Sequence, residues 1–322
     1  MALNTIAVNN LSPGHLDAFS QAFHCIFSTD HAVDVLAQIV NGKPARDIDF
    51  DIKTNYKLPH PIRLSGPSEE DFEIAKRFQK SLRADSTNIT TLEAGHNFLI
   101  YCMFKLVQAY QNTTLGSREF KIRLLEMTAV AVHSVAGAFF SSRGHDPPPP
   151  KADDSQPPSP PTYLYHQEYL DYERNPLGVA DTVGYWTELK VFGGIVIFDR
   201  GESEQEAIDP YIHPKYPYMI YKLSKKQLDS FIDFRTSKDH SDPIPIPFVT
   251  EKYAPRVDPE HAIEKHVFRD KNERRPLWMR RTGRTVHRRY MRDDFPELVH
   301  QVQKILKEKA LSKMIYSAPI GF

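Results

Sequence analysis

Cysteine is nearly absent: two residues, Cys25 and Cys102, in a chain of 322. That excludes a disulfide-built scaffold, and no C-x-x-C or Cys/His spacing suited to zinc occurs. Both cysteines fall in apolar helical patterns, where a free thiol serves as a small buried hydrophobe. Net charge is absent as well, with 41 Lys+Arg against 41 Asp+Glu. No basic segment followed by an apolar core opens the chain, so no signal peptide is expected. The longest apolar stretch, Leu124 to Phe140, is interrupted by Glu126 and His133 and is too short to span a bilayer. These absences predict a soluble, cytoplasmic protein without stable membrane insertion. The phosphate-loop, dinucleotide, nucleophile-elbow and H-E-x-x-H patterns are all missing, and with them four common enzyme classes.

What is present is enough apolar material for a sizeable core: 40% hydrophobic and 11% aromatic residues, in a length suited to one large domain or two small ones. Proline is abundant, 25 residues, and concentrates in 144–161, GHDPPPPKADDSQPPSPP. That density cannot continue a helix or a central strand. The segment reads as a linker or loop between a helical region, 1–143, and a region of small sheet plus helices, 162–322, packed as one catalytic domain.

Helix signals dominate the first region. Ser12-Pro13 is an N-cap followed by an N1 proline. A second helix over about 30–40 ends at Gly42, and Ser68-Glu-Glu-Asp71 opens a third. Residues 90–111 and 117–141 read as two long helices joined by a short turn, an antiparallel hairpin. In the second region Val191 to Phe198 reads as a strand, with Gly193-Gly194 inside it marking a bulge or a close backbone approach. Residues 208–213 and 217–223 follow as the next strands of a meander. Ser224 opens a short helix, and Asp293-Asp294 a last one. The fold class is therefore α+β, mainly α: a buried helical hairpin and helical core with a small antiparallel β-sheet.

Two chemical features stand out. The 117–141 helix is apolar nearly all round, so it is buried, and Glu126 and His133 interrupt it. Seven residues apart, they lie on one face about 10 Å apart along the axis. A buried carboxylate and imidazole need partners; suitably paired they can store a proton or ligate a metal. Val130 and Gly137 share that face and leave room above it. Folding the hairpin brings His96 to the height of His133, with Glu93 and Asn97 beside it. Glu93, His96, Asn97, Glu126 and His133 can thus share one cavity lined by Ile100, Phe104 and Val130, with Glu126 and Glu93 as candidate metal ligands. A structural hydrogen-bonded cluster is the alternative.

The second feature is charge asymmetry. Residues 265–292 hold eleven Lys/Arg against Asp270 and Glu273, a net +9, leaving −9 for the rest. Such a segment suits an anion. Arg274, Arg275, Arg280, Arg281, Arg284, Arg288 and Arg289 can grip phosphate oxygens bidentately. With Trp278, His287 and Tyr290 interleaved, the segment could instead serve a nucleic-acid or other polyanion-binding module. Net neutrality of the whole chain, and the buried Glu126/His133 pair, argue against that reading. Glu297-x-x-His300 lies off the apolar face of its helix, and Asp293-Asp-x-x-Glu297 reads either as a metal motif or as an acidic helix start.

The stretch GYWTELKVFGGIVIFDRGES (184–203), together with the E-x₆-H of Glu126 and His133, resembles a fungal family that includes the sesquiterpene synthase of abscisic acid biosynthesis. The similarity extends over roughly 90–300. It implies a lyase without the usual aspartate-rich motifs. Such an enzyme acts with Mg²⁺ on farnesyl diphosphate by elimination, protonation, deprotonation and cyclisation. The family's Glu/His pair falls on Glu126 and His133. The D-D-x-x-E at 293–297 departs from the family description.

Overall fold

The structure, a computed structural model, describes residues 5–8, 11–44, 66–82, 101–145, 161–166, 168–215, 219–236, 245–271, 273, 274 and 304. A short strand, β1 (Thr5–Ala7), pairs antiparallel with β2 (Tyr101–Met103). Seven helices are present among the described residues, most of them opened by the local signals. Helix α1 (Pro13–Phe27) has proline in its first turn; the hydroxyl of its N-cap Ser12 lies 2.8 Å from His15 Nδ1. Helix α2 (Asp30–Asn41) is capped by Thr29 and closed by left-handed Gly42 at φ 69°. Helix α3 (Glu69–Ser81) starts with a complete Ser68/Asp71 capping box. After α4 (Phe104–Gln111), Ser117 caps α5 (Arg118–Arg143) by accepting from Phe120 N–H. Helix α6 covers Val179–Phe192 and α7 Lys225–Thr236, the latter begun by reciprocal Ser224–Gln227 bonds.

Two expectations change here. The helix placed over 90–111 is broken by β2: only 104–111 is helical, and 90–100 lies outside the described residues. The strand expected from Val191 begins at Ile195, because Val191 and Phe192 are the last turn of α6. Gly193, at φ 82°, ends that helix. A Cβ there would stand 2.7 Å from Phe248 O, and one on Gly194 would stand 2.8 Å from His213 O. The glycine pair is a helix-to-strand turn under close backbone approach, with no bulge in it.

The main sheet has strand order β6-β5-β4-β3-β7, antiparallel throughout: β3 (Ile195–Asp199), β4 (Pro210–His213), β5 (Ile220–Lys222), β6 (Arg256–Val257) and β7 (Val267–Phe268). The first three are the expected meander. Both sheet faces are covered, and the period-2 alternation of β3 shows it. Val196 and Phe198 join the main core, whereas Ile195 and Ile197 join a second, tyrosine-rich cluster with Tyr169, Tyr185 and Tyr211.

Helix α5 is the centre of the molecule. It packs most extensively on α6 and also meets α1, α2, α4 and α7. Its 26 residues are longer than the interrupted apolar stretch suggested. By length and composition alone it could cross a membrane, but most of its apolar window is covered by protein. One core runs from Val8 to Ala254, so the regions before and after the proline-rich segment share it. Residues 146–160 of that segment lie outside the described residues.

Candidate functional site

Helix α6 occupies the face of α5 that carries His133. Gly137 provides no open room there: a Cβ on it would stand 3.0 Å from Ala180 O of α6. Gly184 of α6 fits directly against the His133 ring, where a Cβ would meet Cδ2 at 2.5 Å. This close approach lets α6 present two acids to one imidazole. His133 Nδ1 lies 2.8 Å from Glu188 Oε1, and His133 Nε2 lies 2.9 Å from Asp181 Oδ1. Asp181 and Glu188 are themselves one heptad apart, so they share a face of α6.

Both acids are anchored. Asp181 Oδ2 accepts from Leu177 N–H at 2.7 Å, and Glu188 Oε2 accepts from Val196 N–H at 3.3 Å. Arg269 places one guanidinium nitrogen 2.8 Å from each Glu188 oxygen and its carbon 5.1 Å from the Tyr185 ring centre. Tyr185 meets the His133 ring edge to face at 4.5 Å. Burial alone would strip the proton from His133. The hydrogen bonds to Asp181 and Glu188 outweigh it and hold the imidazole pKa above its usual value, although Arg269 opposes them. A carboxylate on each ring nitrogen favours the protonated imidazole, which can donate in both directions, while Arg269 Nη2, 3.4 Å from Nδ1, works against it.

Glu126 belongs to a second network. Its Oε1 accepts from Arg200 Nη2 and its Oε2 from Arg123 Nη1, both at 2.7 Å. Arg200 also donates to the carbonyls of Phe268, Glu206 and Arg269. The structure therefore buries Glu126 and His133 but pairs each with other residues. The two networks meet at Arg269, whose carbonyl takes Arg200 and whose side chain takes Glu188.

Magnesium does not fit Glu126, since two guanidinium groups already flank its carboxylate. Among the described residues no group of three acidic, His or Cys side chains could hold a metal. The other proposed ligand, Glu93, lies outside the described residues, as do His96, Asn97 and Ile100. The shared cavity that joined them to His133 is replaced, on the His133 side, by α6.

The basic segment divides. Arg275, Arg280, Arg281, Arg284, Arg288 and Arg289 lie outside the described residues, as does the D-D-x-x-E of 293–297. Arg274, by contrast, is 1% exposed, and the Arg269 guanidinium faces Glu188 in the interior. Lys271 pairs with Glu204. Of the described positive charges, Arg269 and Arg274 thus belong to the interior, not to an outer patch.

A third group adjoins the first. The Tyr169 ring packs on Tyr185 at 4.7 Å, and the Tyr169 hydroxyl lies 3.0 Å from His213 Nδ1. His166 stands 5.0 Å from the His213 ring, and burial lowers its pKa to about 4, so it is neutral. Burial also raises the Tyr169 and Tyr185 hydroxyls far above their usual pKa.

Sequence reasoning missed Asp181, Glu188, Arg200 and Arg269. A signal existed: Glu188 and Lys190 are the charged residues that interrupt the apolar run of 183–198, as Glu126 and His133 interrupt α5, and Arg200 lies just past its end.

Gly184→Ala should drive its methyl into the imidazole and separate α5 from α6. Overpacking of this kind costs about 1–3 kcal/mol. Urea unfolding should show that loss, whereas Gly116→Ala, which meets nothing within 4 Å but has φ 81°, tests backbone strain alone.

Comparison with protein-family models, with curated proteins and with solved structures finds no match.

Proposed function

We propose that the chain is a lyase of the terpene-synthase type acting on a prenyl diphosphate, farnesyl diphosphate foremost. The reaction is diphosphate elimination, then protonation, deprotonation and cyclisation to a sesquiterpene. The observation that carries the reading is the buried Asp181–His133–Glu188 triad, in which each imidazole nitrogen lies within hydrogen-bond distance of a carboxylate and the imidazole pKa is raised. Such a group stores a proton at neutral pH and can release and recover it without solvent. The segment that carries the family resemblance, 184–203, supports the reading further. Its Glu188 holds His133 and its Arg200 holds Glu126. Magnesium enters as the ion that accompanies a diphosphate, and no ligand role is given to Glu126. The residues that bind the diphosphate are sought in the segment from Arg274 onward.

A polyanion-binding module is less well supported, because Arg269 and Arg274 are turned inward. The test is incubation of pure protein with Mg²⁺ and C10, C15 and C20 diphosphates, reading organic extracts and pyrophosphate release. Asp181→Asn is the informative variant. Its amide still accepts from Leu177 N–H and can donate to a neutral His133, so the fold should persist. Loss of the stored proton should lower turnover about 10²–10⁴-fold. A folded Asp181→Asn protein with full turnover would remove the triad from the mechanism. Failure of the wild type on all three substrates would remove the lyase.

A further inference from the structure

Arg274 is the one buried arginine of the described residues whose fork is open. Its Nη1 donates to Pro259 O at 3.2 Å, and its guanidinium carbon stands 5.7 Å from the Tyr169 ring centre. Its Nε and Nη2 are both buried and without a hydrogen-bond partner. Arg200, as buried, has four acceptors, and Arg269 has both oxygens of Glu188. The nearest acid in sequence, Glu273, already receives the backbone N–H groups of Arg269 and Asp270. The neighbouring ring groups, Tyr169, His166 and His213, carry no negative charge.

Nε–H and the Nη2–H beside it form the side-on edge of a guanidinium. Two parallel donors on that edge match two oxygens of one phosphate or carboxylate. A buried cation with two unmet donors is costly to fold and is expected to have a ligand that meets them. We infer that the Nε/Nη2 edge of Arg274 is an oxyanion fork that takes a phosphate group of a diphosphate. The fork itself follows from the geometry around Arg274; the choice of a diphosphate rests on the lyase reading.

Inorganic pyrophosphate is the probe, titrated into the full-length protein against sodium chloride at equal ionic strength. Wild-type protein should bind it and melt at higher temperature, while chloride should have no such effect. Arg274→Lys keeps the charge and loses the fork, so affinity should fall ~10–100-fold. Absence of wild-type binding, an equal effect of chloride, or Arg274→Lys binding as tightly as wild type would each overturn the site. Should Arg274→Lys fail to fold, a crystal of wild type grown with pyrophosphate decides. Density bridging Nε and Nη2 upholds the fork, and density elsewhere or none overturns it. Pyrophosphate bound at Arg274 in a protein inert toward prenyl diphosphates would uphold the fork and sink the lyase. Prenyl turnover with no pyrophosphate at Arg274 would do the reverse.

Discussion

His133→Phe should destabilise the protein by about 3–5 kcal/mol, the usual cost of removing one partner from a buried ionic group. Phenylalanine, larger than histidine, leaves no cavity, so the loss reports the stranded carboxylates together with some crowding against Gly184. Asp181 would keep only Leu177 N–H, and Glu188 would keep Arg269 and Val196 N–H. The effect should depend on pH in a set direction. The folded imidazole has a raised pKa, and the unfolded one titrates near ~6.5. The stabilisation from its proton is therefore complete below about pH 6.5 and fades as pH climbs through the folded value. Urea midpoints of wild type and variant should differ most at pH 6 and draw closer as pH rises above ~6.5. A constant difference over that span would mean that His133 is neutral in the fold.

Arg200→Leu should have an effect of similar size, about 3–5 kcal/mol, for a different reason. The side chain ties Glu126 of α5 to the carbonyls of Phe268, Glu206 and Arg269, so its removal leaves three acceptors and half a carboxylate unmet. Glu126→Leu alone should also be costly, since it strands Arg200. The double variant should recover part of the sum, because two apolar side chains leave no orphaned charge. A double-mutant cycle by urea unfolding measures that coupling. Strict additivity would show that the two residues do not act as a pair.

The sequence made some of this legible and obscured the rest for identifiable reasons. Glu126 and His133 were visible because each interrupts a helix that is otherwise apolar all round. The caps at Ser68 and Ser224, the Gly42 stop and the β3–β4–β5 meander followed from local rules. The partners of the pair were hidden. Helix α6 is buried on nearly every side, so it lacks a one-sided apolar stripe, and its end, Val191-Phe192, runs straight into β-branched residues. Val191 to Phe198 then reads as strand, the helix before it goes unread, and Asp181 and Glu188 lose their shared face. Placing His96 against His133 required an unbroken helix over 90–111, and the pairing of β2 with β1 removes that premise. Counting charges over 265–292 treats every arginine as exposed. Arg269 and Arg274 point inward because buried acids and a tyrosine ring receive them, which no linear count records.

Helix α5 also has a consequence for how the chain is made. It leaves the ribosome about fifty residues before the end of α6, the helix that covers its polar and apolar faces alike. At ~5–20 residues per second, that is an interval of several seconds in which a long apolar helix has only α1 to α4 for cover. During this interval its composition is that of a membrane span. Until Asp181, Glu188 and Arg200 have been synthesised, His133 has neither of its carboxylates, and Glu126 has only Arg123, one turn before it on the same helix.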